Sequence, residues 1–308
     1  MRVPPSVPEE LVRSTIDLRG EAGAEWLKRL PALIADLECR WSLRPGRPFP
    51  GVSVSWVAPA TLADGAPAVL KLSFPEDREL GTQLEALKLC DGRGIAKLLR
   101  FDLKGGAMLL ERCEPGMPLT TVEDDKEATY IAAGVMEELW RPAPPEHPFP
   151  SVGDWPKGFD RLRRSYGGGT GPMPEALVAR AEALFAELIP SQTETFLLHG
   201  DLHHENVLSA GRRPWLAIDP KGVVGERAAD TAALLHNPVE LLLREPEPGR
   251  CLRRRVDLLS ERLGLDRARV HRWGLAQAVL AAYWGLEDSG RVWNEALVFA
   301  ELLSAFKD

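Results

Sequence analysis

The chain has 308 residues, 44% of them hydrophobic, a length that suggests two domains or lobes rather than one simple core. Lys and Arg number 38 against 45 Asp and Glu, a net charge of −7, and no Lys/Arg stripe with interleaved aromatics appears, which argues against a nucleic-acid partner. The opening MRVPPSVPEEL lacks an apolar segment and no run of about 18 apolar residues occurs, so neither a signal peptide nor a membrane span is expected. Cys39, Cys90, Cys113 and Cys251 are scattered with no C-x-x-C pair, the pattern of reduced thiols, and the expected compartment is the cytoplasm.

After a Pro-rich leader, residues 22–38 have the spacing of a helix with Trp26, Leu30, Leu33, Ile34 and Leu37 on one face. GVSVSWVAP (51–59) alternates small and apolar residues like a strand, and PAVLKLSF (67–74) follows as a second strand after the turn ADGAP. Leu80, Leu84 and Leu87 mark a short helix that stops at DGRG. IAKLLRFDL and AMLLERC then form a hairpin turned by KGG at 104–106, so residues 40–112 make a small antiparallel sheet interrupted by one helix. CEPGMPL (113–119) breaks the pattern and is the expected boundary. Helices dominate beyond it, at 123–140, 155–166, 174–188 and several from 228 onward. GGGTG (167–171) lacks the Lys-Ser/Thr of a phosphate-binding loop and reads as a flexible connection.

Between those helices lies LLHGDLHHENVL (197–208), a polar centre between apolar flanks, followed by PWLAIDP (214–220). The pattern is a buried strand, a polar loop and a second strand, and a loop held that way is well placed for chemistry. Asp201 and Asn206 are separated by four residues, and Asp219 ends the next apolar strand. Lys71 lies upstream in AVLKL, a strand of the small sheet. Phosphoryl transfer from a nucleoside triphosphate needs a Lys for the α- and β-phosphates, an Asn and an Asp for Mg²⁺, and a further Asp for the acceptor hydroxyl. The spacing His-x-Asp-x-x-x-x-Asn of His199, Asp201 and Asn206 matches the protein-kinase catalytic loop. A rival from the same residues is a zinc hydrolase built on His199, Asp201, His203 and His204.

HGDLHHENVL together with WLAIDPKGVVGERAADTAALLHNP resembles the aminoglycoside phosphotransferases, small-molecule kinases with the protein-kinase fold, and is most similar to their streptomycin 6-phosphotransferase and hydroxyurea kinase branch. Further matches lie at 64–72, 85–99, 109–119 and 284–288. The resemblance implies an α+β, bilobal protein-kinase-like fold: a small antiparallel-sheet, nucleotide-binding lobe over 1–112 and a larger, mainly helical catalytic and substrate-binding lobe over 113–308, hinged at about 111–119. It also implies ATP, with GTP as the alternative, and Mg²⁺.

By the same resemblance, Asp201 orients the acceptor hydroxyl, Asn206 and Asp219 bind Mg²⁺, Lys71 holds the phosphates, and the backbone near Glu111, Arg112 and Cys113 meets the adenine. His199 is expected to be a structural member of the loop, and Asp230 a helix-start or loop anchor. Family members usually place a Lys-pairing Glu where this chain has Gln83; Glu79, one turn earlier and about 40° around the axis, is the candidate replacement. Glu85 faces the more exposed side. The acceptor is expected to be a small polyhydroxylated cation such as a streptomycin-like aminocyclitol. Asp154, Asp160, Glu226, Trp284, Glu287 and Asp288 are its candidate contacts, because carboxylates pair with guanidinium groups and aromatic faces stack on them. Another small metabolite (hydroxyurea, a sugar or an amino alcohol) and a non-catalytic nucleotide-binding protein are the alternatives, the latter motivated by Gln83.

Overall fold

A computed structural model describes residues 7–306, and the chain divides into two compact units between Gly116 and Met117. In the first, α1 (Glu9–Trp41) is interrupted at Gly20 and then carries Trp26, Leu30, Ile34 and Leu37 on its buried face. The helix is longer than the periodicity of 22–38 predicts, extending in both directions. The strands β1 (Leu43–Pro45), β2 (Trp56–Leu62) and β3 (Pro67–Leu72), the helix α2 (Arg78–Cys90) and the hairpin β4 (Leu98–Asp102) and β5 (Ala107–Glu111) complete this unit.

Its sheet is antiparallel in the order β1-β2-β3-β5-β4. The alternation at 51–59 overstates the second strand: β2 starts only at Trp56, and residues 50–55 form turns, bends and irregular chain. Trp56, Leu70, Leu72 and Leu109 meet the α1 face in one core. Each such side chain removed from water contributes about 1.5–3 kcal/mol, which makes this face the unit's main source of cohesion. Lys71 lies between core-facing Leu70 and Leu72, and it pairs in register with Val57 and Met108. The Asp77 carboxylate starts α2 by accepting from the Glu79 N–H at 3.0 Å.

The second unit contains α3 (Asp125–Leu139), β6 (Arg141–Pro142), α4 (Lys157–Ser165), α5 (Glu175–Leu188), β7 (Phe196–Leu198), β8 (Val207–Ser209), β9 (Trp215–Ala217) and β10 (Val223–Gly225). Six helices follow: α6 (Arg227–Asp230), α7 (Ala232–Leu235), α8 (Val239–Arg244), α9 (Pro248–Leu263), α10 (Arg267–Ser289) and α11 (Asn294–Ser304). Every residue of α10 from Trp273 to Tyr283 is buried, as befits a helix apolar on all sides, and α4, α5, α6, α7, α9 and α11 pack around it. Among the described residues no helix is long and apolar enough to cross a membrane. The GGGTG connection is pinned, since the Arg163 guanidinium donates to the Gly168 carbonyl at 3.0 Å and the Thr170 hydroxyl to the Met173 carbonyl at 2.7 Å.

One buried ion pair ties α3 to α9. The Asp125 Oδ1 accepts from Arg255 Nε at 2.8 Å, with the two side chains only 15% and 3% exposed. Burial works to raise the Asp125 pKa, but the charge and hydrogen bond of Arg255, with the Cys251 and Arg254 contacts, reverse this and hold it at about 2. A carboxyl depressed from its ordinary 3.8 stabilises the fold above that value and loses the contribution as pH falls through about 2. Replacing Asp125 by Asn is therefore expected to cost about 2 kcal/mol at neutral pH. It should also flatten the loss of stability between about pH 4 and pH 2, as measured by urea unfolding across that range.

Candidate active site

β7 pairs antiparallel with β10, Leu198 opposite Val223, and delivers the chain into the loop 199–206. At Gly200 the backbone has φ +83, and an added Cβ would stand 2.9 Å from Val223 Cγ2, so only glycine makes this turn without displacement. His199 is fully buried. Its Nε2–H donates to the Ile218 carbonyl at 2.8 Å, and Nδ1 accepts from the Asp201 N–H at 3.3 Å. Burial lowers its pKa, which keeps the ring neutral and in one tautomer. The ring is thus structural.

The loop is fixed from beneath by Asp230, buried at the end of α6. Its carboxylate accepts from the backbone N–H of His199 at 3.0 Å, that of Gly200 at 2.7 Å and the Trp140 indole N–H at 2.8 Å. Asp201 follows at once, and 39% of its side chain remains exposed. Enclosure by protein raises its pKa; His203 and Lys221 oppose that and the Asp219 charge adds to it.

The β8–β9 hairpin, with Val207 opposite Ala217, lets the Ile218 N–H donate to the Asn206 carbonyl at 2.9 Å and so sets Asp219 beside the loop. Asp219 has φ +58, a strained region for a residue with a Cβ and one that clusters at functional sites. The Asn206 amide nitrogen donates to the Asp201 carbonyl at 2.9 Å and lies 3.2 Å from His203 Nε2. The amide oxygen takes part in neither contact. Asn206 and Asp219 carry hard oxygen atoms of the kind Mg²⁺ prefers. The zinc set is not assembled: the His199 ring is engaged as above and the buried His204 lies within the field of Arg255. No group of three His, Cys, Asp or Glu is gathered as a metal cluster among the described residues.

A cavity of about 530 Å³ opens at Asp201. The loop contributes Asp201, His203 and Glu205; the chain after α7 contributes His236–Glu240; α10 contributes Gln277, Ala281, Trp284, Gly285 and Asp288; Trp293 and Glu295 close it. The α10 residues follow the i, i+4, i+7, i+8, i+11 spacing of one helical face. An added Cβ at Gly285 would lie 2.9 Å from Trp293 Cβ, so the missing side chain is what lets Trp293 close against α10.

Of the expected acceptor contacts, the structure brings Trp284 and Asp288 to this cavity but not the others. Glu287 lies about 100° around α10 from that face and binds Arg161 at 2.5 and 2.8 Å and the Tyr283 hydroxyl at 2.9 Å. Asp154 belongs to a capping box with Ser151 and binds Lys157 at 2.5 Å. Glu226 is buried, accepting from the Trp273 indole and from Arg269 at 2.7 Å, where it joins α10 to the turn before α6. Asp160 is exposed on α4. Glu205, Glu240, Trp293 and Glu295 were not legible as cavity residues, although the Asp288 face of α10 could have been extended back to Gln277 by period.

In the first unit, Gln83 lies on the buried side of α2 with Leu80, Leu84 and Leu87, whereas Glu79 is exposed in its first turn. Glu85 is bound to Lys88 at 2.7 Å. The Glu111 N–H donates to the Lys97 carbonyl at 2.8 Å, Arg112 lies 3.4 Å from Glu114, and Cys113 is buried.

The fold belongs with small-molecule kinases of the protein-kinase type. An aminoglycoside phosphotransferase solved with ADP and hygromycin B superimposes with TM-score 0.60 at 15% identity, over 88% of this chain and 96% of that one. The family model "Aminoglycoside/hydroxyurea antibiotic resistance kinase" matches residues 40–289. The streptomycin 6-kinase of Streptomyces glaucescens is 34% identical over 95% of this chain and 94% of that enzyme. The hydroxyurea phosphotransferase of Kitasatospora aureofaciens is 34% identical over 92% of this chain and 81% of that enzyme. The chain belongs to the aminoglycoside/hydroxyurea antibiotic resistance kinase family and is a phosphotransferase acting on a hydroxyl group.

Asp230→Asn keeps the shape of the anchor but sets an amide N–H₂ against backbone N–H donors. An unsatisfied buried donor costs about 1–3 kcal/mol, so kcat should fall about 10-fold or more while acceptor KM stays within about 3-fold. Steady-state kinetics with far-UV circular dichroism on the same sample checks this.

Proposed function

We propose that the protein transfers the γ-phosphoryl of ATP, with Mg²⁺, to a hydroxyl of a cationic, polyhydroxylated aminocyclitol of the streptomycin type. The observation that carries the acceptor class is the charge of the cavity at Asp201. Asp201, Glu205, Glu240, Asp288 and Glu295 line it, and no Lys or Arg does. His236 adds no positive charge near neutral pH, because burial pushes its pKa down to about 3. Such a wall attracts a guanidinium at distance and pairs with it on contact, and Trp284 and Trp293 supply faces for stacking. Hydroxyurea, which carries no charge, forms no ion pair with the five carboxylates and is the second reading only through the relative that phosphorylates it.

In this reading residues 1–112 form the nucleotide-binding lobe and 113–308 the catalytic lobe. Lys71 holds the nucleotide phosphates, the backbone at Glu111, Arg112 and Cys113 meets the base, and Asn206 and Asp219 hold the Mg²⁺. The buried Gln83 replaces the usual acidic partner of the lysine with a neutral amide, and Glu79 is left as the carboxylate one turn away. Bound Mg²⁺ would offset charge on the phosphates. Asp201 accepts the hydrogen bond of the acceptor hydroxyl and aims its oxygen at the γ-phosphorus. The new O–P bond forms as the bond to the leaving ADP oxygen breaks, and the hydroxyl proton passes late to the Asp201 carboxylate.

Asp201→Ala should lower kcat about 100-fold or more with ADP affinity nearly unchanged, while Asn206→Ala and Asp219→Ala should weaken Mg²⁺-dependent nucleotide binding. Wild-type turnover by Asp201→Ala on a true acceptor would overturn the assignment. For the acceptor class, kcat/KM for streptomycin should exceed that for hydroxyurea and fall as salt rises, and Asp288→Asn should raise streptomycin KM about 5- to 10-fold. Efficient, salt-insensitive turnover of hydroxyurea with none of streptomycin would remove the cationic reading and leave the kinase chemistry standing.

A further inference from the structure

We infer that the buried Asp125–Arg255 pair is a positioning device for acceptor recognition: it holds the His236–Glu240 wall of the cavity in place, and so sets acceptor affinity without touching acceptor or nucleotide. The inference rests on the reading of that cavity as the acceptor site. It concerns two residues that face neither the cavity nor the catalytic loop's oxygen ligands.

The wall is the link between two short helices and the first two residues of the second. α7 ends at Leu235, α8 begins at Val239, and all five residues from His236 to Glu240 line the cavity. The last carbonyls of a helix have no partner within it, and where they are buried something else must bind them. Here one guanidinium nitrogen does so. Arg255 Nη1 lies within hydrogen-bond reach of the carbonyls of Leu234 at 2.9 Å, Leu235 at 3.0 Å and Asn237 at 2.6 Å, its two hydrogens serving three acceptors with one of them shared. A single nitrogen therefore gathers the end of α7 and the second residue of the wall. Local bonds also hold the segment, among them the Asn237 amide nitrogen to the Ala233 carbonyl at 3.0 Å and the Leu242 N–H to the Pro238 carbonyl at 3.1 Å.

Asp125 aims the fork. Its Oδ1 receives Arg255 Nε at 2.8 Å and Nη2 at 2.7 Å, and its Oδ2 receives the Cys251 thiol at 3.1 Å and Arg254 Nη2 at 3.0 Å. With both oxygens engaged by donors, the carboxylate has one orientation, and the planar guanidinium inherits it. A buried guanidinium is costly unless its N–H groups are paired, so keeping one here calls for a return that packing alone would supply more cheaply with an apolar side chain. The return is geometric. The wall carries Glu240, one of the five cavity acids, and His236, whose ring meets the edge of Trp293 at 5.7 Å on the opposite side.

Arg255→Lys keeps the charge but has no fork, and Asp125→Asn keeps an acceptor oxygen while losing the charge. Both are assayed for streptomycin KM, kcat and ADP affinity, with circular dichroism confirming the fold, and Asp288→Asn is run beside them. Arg255→Lys should raise streptomycin KM about 10-fold with kcat changed less than about 3-fold and ADP affinity unchanged, and Asp125→Asn should move KM the same way by less. Folded variants with wild-type KM would overturn the inference, as would a parallel fall of kcat and ADP affinity, which marks general loosening. If Arg255→Lys does not fold, Asp125→Asn decides alone on the same criteria. A raised KM in Asp288→Asn with wild-type KM in the pair's variants sinks only this inference, whereas wild-type KM in Asp288→Asn removes the acceptor reading beneath it.

Discussion

The carboxylate of Asp230 accepts three N–H groups, two from the backbone of the catalytic loop and one from Trp140, and the geometry of the second unit's chemistry follows from that. The loop that carries Asp201 and Asn206 leaves the His199 and Gly200 amides outside the pairing of β7 with β10. The unpaired N–H groups need an acceptor that is buried, charged and rigidly held. Asp230 meets those needs from the end of α6, and Glu226 fixes the start of the same turn against α10 through Arg269 and Trp273. Two acids that look alike in sequence thus serve as anchors for a site formed by others.

The same economy of charge runs through the cavity. Three of the acids that hold structure are matched by arginines: Asp125 with Arg255, Glu226 with Arg269, Glu287 with Arg161. The acids that line the cavity have no arginine or lysine among their fellow lining residues. The difference is one of environment rather than of residue type. Trp284 and Trp293 fit the pattern: both face the cavity, and the latter approaches α10 over the missing side chain of Gly285.

The departure at Gln83 bears on the nucleotide rather than on the acceptor. A buried carboxylate beside a lysine would stiffen that lysine by charge, whereas an amide can only accept or donate hydrogen bonds. The helix face decides which residue stands nearest the core, and it is Gln83, with Glu79 toward solvent.

Much of this was readable from the sequence, because local chemistry and period determine it. The order of strands and helices, the hairpin at 104–106, the helix face of Trp26 to Leu37 and the His199–Asp201–Asn206 spacing follow from alternation, helical repeat and turn residues. Family motifs then named the chemistry. Extent was less legible: the small and apolar residues at 51–55 alternate like a strand, but no neighbouring strand pairs with them there. The sequence also could not separate Asp288 from Glu287, or Glu205, Glu240 and Glu295 from Asp154 and Glu226. All are acids near helix ends or loops, and what distinguishes them is the surroundings that packing gives each: Asp154 is held by Lys157 and its own capping box, Glu226 by Arg269 and Trp273, and Glu287 by Arg161. That depends on contacts between residues up to 130 positions apart, such as Asp125 with Arg255, which only the packed tertiary structure creates.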